Sequence, residues 1–236
     1  MPQFSHEEAL FNRVRPQYRK IAQMVQAIIA SYVDANGRIT DVSGLERAVK
    51  RYADSLLPWA EAFWTKQNAY IARQIARDFR MNGLTVDPQS ASIRSTVAHL
   101  QRQQVQLITT LPLSAAKKAQ EMSQQAVLET GQRSEELIAQ LRGLKPGYPE
   151  YAARRLARTE SAKAQSAIVQ GQANELGIKQ YVWCTVRDEA VRSSHDAMQG
   201  KICDFDNPPE VEPGKRYHPG GIYNCRCFCR PLLPKE

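Results

Sequence analysis

Apolar residues return at every third or fourth position through the first 145 residues of this chain, and the stops in that recurrence fall at proline and glycine. A period of three to four suits an α-helix and does not suit a strand. It predicts a first helix running from the capping-box spacing of Ser5 and Glu8 towards Tyr32, with Pro16 kinking it or splitting off its first turns, and Asn36-Gly37 beyond its end. Asp41 is placed to open a second helix. Pro58 suits the first turn of a third, whose stripe is Trp59, Phe63, Tyr70, Ile71 and Ile75 and which ends at Asn82-Gly83. Three more are expected: about residues 92–109, Pro112 to Glu129, and a short one capped by Ser134 and ending at Gly143.

The pattern changes after the stretch from Gly143 to Pro149, which holds two prolines and two glycines in seven residues. A domain border at 145/146 follows, with a helical module over residues 1–145 and a smaller α+β domain over residues 146–236. Beyond the border one more helix is expected, over about residues 151–175. Gln180 to Val186 then alternates Tyr181, Trp183 and Thr185 against Val182, Cys184 and Val186, as a strand does. Asp188 is placed to cap a short helix ending at Gly200. Lys201 to Phe205 reads as a second strand, Asn207 to Gly221 as a proline- and glycine-rich loop, and Ile222 to Phe228 as a third strand. The fold class expected is α+β, with a short C-terminal sheet.

Hydrophobic residues make up 42% of the 236, enough for a core, yet no apolar run approaches the roughly 18 to 20 residues that span a bilayer. The first twenty residues carry Glu7, Glu8, Arg13, Arg15, Arg19 and Lys20 and have no apolar segment of the secretory kind. The expectation is a protein made in a cytoplasm, with no membrane partner. All five cysteines lie after residue 183, which points to reduced thiols or metal ligands and not to a disulfide scaffold. Of the net charge of +8, residues 1–145 supply +6 (19 basic against 13 acidic) and residues 146–236 supply +2 (13 against 11). Such an excess favours duplex DNA or acidic protein surfaces. Arg73, Arg77 and Arg80 at helical spacing, with Lys117 and Lys118, are the DNA candidates.

Asp188, Arg192 and His195 fall at i, i+4 and i+7 of the expected short helix, and His195 shares a stripe with Val191, Ser194 and Met198. That makes His195 inward-facing, and the plain reading is a core histidine held by Asp188. Arg158 and Glu160 are two apart on a helix and so point about 200° from each other. They cannot line one pocket, and at least one anchors the helix to the sheet. Cys225, Cys227 and Cys229 would share one strand face with Tyr223. They are either small core residues or part of a Zn2+ site, with His195, His218, Cys225 and Cys227 as its ligands and Cys184, Cys203 and Cys229 as substitutes. The chain has no nucleotide-binding glycine loop, no H-E-x-x-H and no G-x-S-x-G.

In order, the chain carries Ala157-Arg-Thr-Glu160, Trp183 followed by Thr185 and Asp188, Val191-Arg-Ser-Ser-His195, Gly200-Lys201, His218-Pro-Gly220 and Asn224-Cys-Arg-Cys227. The series resembles the phage Mu F-like minor head proteins, the head-morphogenesis family of tailed phages. The resemblance covers about residues 151–233, and a looser likeness reaches back through Leu111-Pro112, Gly131 and Ser134 to Leu137. It marks Arg158, Glu160, Trp183, Asp188, Arg192 and Asn224 as family-motif positions. It implies a minor capsid protein in the virion, inside the procapsid or at the portal vertex. The implied partners are the portal and the major capsid or scaffold protein, in head assembly, DNA packaging or DNA delivery. Family members with a C-x-x-C ahead of the Gly-Lys differ from this chain, where Val191 to His195 supplies only a histidine. No enzyme is expected. The alternative is a nucleic-acid-acting or toxin-like enzyme using Glu160, Asp188, Arg192 and His195.

Overall fold

The computed structural model describes residues 4–234. Its helices are α1 (Glu7–Ala30), α2 (Val42–Ser55), α3 (Leu57–Met81), α4 (Ala91–Leu128), α5 (Gln132–Leu141), α6 (Tyr148–Glu175) and the short α7 (Ser193–Asp196). The strands are β1 (Gln180–Cys184), β2 (Ile202–Asp204), β3 (Glu210–Glu212), β4 (Lys215–Arg216) and β5 (Phe228–Pro231). The protein is therefore α+β, helical first and with a small antiparallel sheet at its C-terminal end. No helix among the described residues is long and apolar enough to cross a membrane.

Local rules set most helix ends. Asp41 caps α2 by accepting from the Gly44 N–H at 2.8 Å, and Gly83 turns the chain after α3 at φ +76. One proline behaves otherwise than expected. α1 runs through Pro16 and keeps its first turns, whereas α4 runs through Pro112 instead of breaking into two helices. Before Pro112, the Thr109 hydroxyl bonds the carbonyls of Val105 and Gln106 and the Thr110 hydroxyl that of Leu107. Burial of Ile108, Leu111, Ala115 and Ala116 on either side offsets the roughly 3 kcal/mol a helical proline costs. Glu8 does not serve a capping box, because its carboxylate is taken by Arg158. Ser134 lies inside α5, and its hydroxyl reaches the Ala126 carbonyl.

Packing divides the chain into two compact units, and the division ignores the 145/146 border. The first holds the described residues up to Val14, then Phe63–Gln103, then the chain from Ala157 on; the second holds Arg15–Ala62 and Gln104–Leu156. Long helices that pass from one unit to the other give no composition signal at the point of passage.

In the second unit Tyr18, Val25, Ile29, Leu45, Val49, Ile108 and Leu111 form the core. Its turn around Gly37 is tied down by Ser123, which donates to the Gly37 carbonyl at 2.8 Å and accepts from the Ile39 N–H at 3.2 Å.

In the first unit Phe4 meets Phe79 edge-on at 4.7 Å, and Ile71, Ile75, Ile93, Ile168 and Val169 are buried as well. The sheet order is β2-β1-β5, antiparallel throughout, with Tyr181 opposite Cys203 and Trp183 opposite Cys229. Tyr181 and Trp183 share the fully buried face of β1, as their alternation predicts. The second half of α6 backs this sheet: Ser166 Oγ lies 3.6 Å from Cys229 Sγ, and Gln170 donates to the Phe205 carbonyl at 2.9 Å.

Three expectations for this region need correction. The third strand begins at Phe228 and not at Ile222, because Cys225 N–H turns back to the Ile222 carbonyl and Asn224 takes a positive φ of 55. The helix expected from Asp188 shrinks to α7, since Arg192 just before it is extended at ψ 145 and the Asp188 side chain accepts from the Ala190 N–H. The segment expected as a plain loop contains the β3–β4 hairpin, turning at Pro213-Gly214 with Gly214 at φ +70.

Candidate metal centre

α7 and the turn before β5 bring three of the four expected ligands together. His195, Cys225 and Cys227 are 2%, 1% and 3% exposed, and one ligand atom of each lies within 4.8 Å of the others. His195 Nδ1 is 3.5 Å from Cys225 Sγ and 3.4 Å from Cys227 Sγ. A tetrahedral zinc with bonds of about 2.3 Å to sulfur and 2.0 to 2.1 Å to nitrogen separates such ligands by about 3.5 Å. Donor chemistry, burial and spacing all fit a soft or borderline divalent metal.

The surroundings hold each ligand. His195 Nε2 bonds the Tyr217 hydroxyl at 3.1 Å, Tyr217 donates to Glu212 Oε1 at 3.1 Å, and Glu212 is paired with Lys215 at 2.8 Å. Trp183 packs edge-on against the imidazole, with centroids 5.7 Å apart. The Gly220 N–H donates to Cys225 Sγ at 3.3 Å. Hydrogen bonding from the Cys227 thiol holds Cys225 below the ordinary thiol range, and the same contact pushes Cys227 above it. The buried Trp183 indole N–H has no well-formed hydrogen bond, yet it lies where it favours a Cys227 thiolate.

The remaining expected site residues lie elsewhere. His218 is outside the cluster: its Nδ1 bonds the Tyr181 hydroxyl at 2.9 Å, and burial lowers its pKa. The substitutes also stay out, with Cys184 and Cys203 directed at the Val182 and Lys201 carbonyls and Cys229 at Ser166. Asp188 does not hold His195; it pairs with Arg226 across the turn. Arg192 donates to the Tyr223 carbonyl at 3.0 Å, and the Asn224 N–H donates to Thr159 Oγ1 at 3.1 Å. Arg158 bonds Glu7 and Glu8 and lies 3.5 Å over the Phe11 ring. Glu160 is buried, with Lys163 Nζ 3.4 Å away but no hydrogen bond to Oε1, and burial raises its pKa against the pull of Lys163. Arg158 and Glu160 thus serve separate contacts, as their divergence on the helix requires. Gly220 lies in the His218-Pro-Gly220 motif, whereas Tyr217 and Glu212 have no motif to mark them in the sequence. The Pro-Gly turn between charged, alternating residues was the available signal for the hairpin that carries those two.

Residues 117–230 match the family described as Phage Mu protein F like protein. The match includes Gly131 and Ser134 to Leu137 of the looser likeness and starts after Leu111-Pro112. It also spans parts of both compact units. An uncharacterized protein of Haemophilus influenzae is 35% identical over 144 residues, which is 61% of this chain and 31% of that relative. The chain therefore spans about a third of that relative's length. No solved structure matches the chain.

Proposed function

We propose that this chain is a minor head protein acting at the portal or inside the procapsid, on the strength of the match of residues 117–230 to the family described as Phage Mu protein F like protein. The family match carries the proposal. The charge supports it: the +6 excess of residues 1–145 suits a DNA-facing or acidic-protein-facing surface. We assign residues 1–145 the contact with portal, capsid or scaffold protein, and duplex DNA is a second partner. No turnover is assigned, since Glu160, Asp188, Arg192 and His195 are each engaged by different partners. The test is co-production of the full-length chain with the portal and major capsid proteins of its own phage. Both units draw on residues on either side of 145, so truncation there disrupts both. Sedimenting procapsids should carry the chain; a chain absent from both procapsids and portal complexes overturns the proposal. Release of nicked plasmid in divalent metal would instead favour the enzyme reading.

The zinc expected from sequence belongs to the same proposal, with His195, Cys225 and Cys227 retained as ligands and His218 dropped. Zinc there would cross-link α7 to the turn before β5, a structural role. Protein purified without chelator should contain close to one equivalent, and less than a few tenths rejects the assignment.

A further inference from the structure

A histidine binds a metal through whichever ring nitrogen lacks a proton, so the tautomer decides whether the nitrogen facing the two sulfurs is a ligand or a donor. At His195 that choice is set by a chain of hydrogen bonds with only one consistent direction. Glu212 is paired with Lys215, and a carboxylate can only accept. The Tyr217 hydroxyl has one proton and directs it to Glu212 Oε1 at 3.1 Å. Its oxygen must then accept at the 3.1 Å contact with His195, which places the imidazole proton on Nε2. Nδ1 is left with a lone pair, 3.5 and 3.4 Å from the two sulfurs.

We infer that Tyr217 and Glu212 are positioning residues of the metal centre, fixing His195 as the Nε2–H tautomer so that its Nδ1 lone pair faces the ion shared with Cys225 and Cys227. The inference rests on the zinc reading above. The ring has little freedom to escape this arrangement, because Trp183 packs against it edge-on and α7 lies against β3. Without the relay, the opposite tautomer could give an Nδ1–H to a thiolate, and a metal would have to displace that proton. Metal occupancy is thereby coupled to the β3–β4 hairpin, the segment that presents both relay residues.

The full-length protein, labelled with 15N-histidine and stripped of metal, gives the first readout. Long-range proton–nitrogen correlation should show His195 protonated at Nε2 and bare at Nδ1; a proton on Nδ1 overturns the inference whatever metal does. The second readout is zinc affinity by competition with a chromophoric chelator. Tyr217→Phe keeps the ring and removes the hydroxyl, and it should weaken zinc about 10- to 100-fold, the range for lost outer-shell partners. Glu212→Ala should act in the same direction. Unchanged affinity in Tyr217→Phe, with an unchanged thermal melt, also overturns the inference. If the natural protein shows the Nε2–H tautomer but takes up no zinc, the tautomer assignment stands and the metal reading fails, so the two failures are distinguishable.

Discussion

Gly220 approaches Ala162 so closely that a Cβ on the glycine would lie 2.6 Å from the Ala162 carbonyl oxygen. The obstacle is helix backbone, which cannot swing aside, and Gly220 has a φ of +80 that L side chains rarely adopt. This contact seats the loop on α6 and aims the Gly220 N–H at Cys225. Gly220→Ala should therefore destabilise by at least about 2 kcal/mol in denaturant unfolding, from the backbone conformation and the forced shift together. It should also lower zinc uptake. An unchanged midpoint would refute the close approach.

Burial drives the Glu7 carboxyl up from 4.5 to about 7, opposed by Arg158 and reinforced by Glu8 and Cys225. Its folded pKa is raised, so the stability it contributes is fully present below pH 4.5 and is lost as pH rises through about 7. The full shift corresponds to about 3 kcal/mol. Glu7→Gln should remove that slope, and stability curves of the natural and substituted proteins should converge at low pH and separate towards pH 8. Parallel curves across this range would show that Glu7 is not buried as described.

Arg158 is the counterpart. Removing it leaves Glu7 buried without its cation, and breaking a buried pair costs about 3 to 5 kcal/mol. Because Glu7 escapes by taking up a proton, Arg158→Ala should cost clearly less at pH 5 than at pH 8. Equal losses at both values would assign the effect to packing over Phe11 instead.

Cys227 and Cys229 are two residues apart, yet only Cys227 meets His195, while Cys229 faces Ser166 and is held protonated by burial. Cys227→Ser should cut zinc content to a few tenths of an equivalent or less, and Cys229→Ser should leave it near one. Equal loss in both would return Cys229 to the ligand set.

The helical first part and the alternating Tyr181 and Trp183 were legible because hydrophobic period is a local property. The joint burial of His195, Cys225 and Cys227 was legible too, since few arrangements bury that many polarizable donors in one small domain. His218 was misplaced because a sequence does not reveal that the Tyr181 hydroxyl, buried in a neighbouring strand, needs a partner of its own. Asp188 was misassigned for a related reason: helical spacing suggested His195, but the helix starts only at Ser193 and the carboxylate turns to Arg226. The border at 145/146 followed proline and glycine, whereas α4 and α6 carry the chain between units at Gln103/Gln104 and Leu156/Ala157, where neither residue stands.

Arg73, Arg77 and Arg80 lie at i, i+4 and i+7 of α3, which puts them within an arc of about 60° on the helix. All three are exposed, while Asp78 between them is buried and taken by His6. No carboxylate among the described residues forms an ion pair with any of the three, so the face carries three uncompensated charges. Contact with duplex phosphates would release about 0.9 counterion per neutralised charge, giving a slope of log affinity against log salt near −2.7 for three contacts. Between 50 and 200 mM salt that is a loss of about 40-fold, with no dependence on sequence. Replacing all three by glutamine should weaken low-salt binding to duplex DNA and flatten the slope by about 3. Lys118 is a poorer candidate, since Glu121 holds it at 2.9 Å. No gel shift at low salt would reassign the charge to acidic protein partners, and a shift whose slope survives the triple substitution would move the DNA contact to another face of the protein.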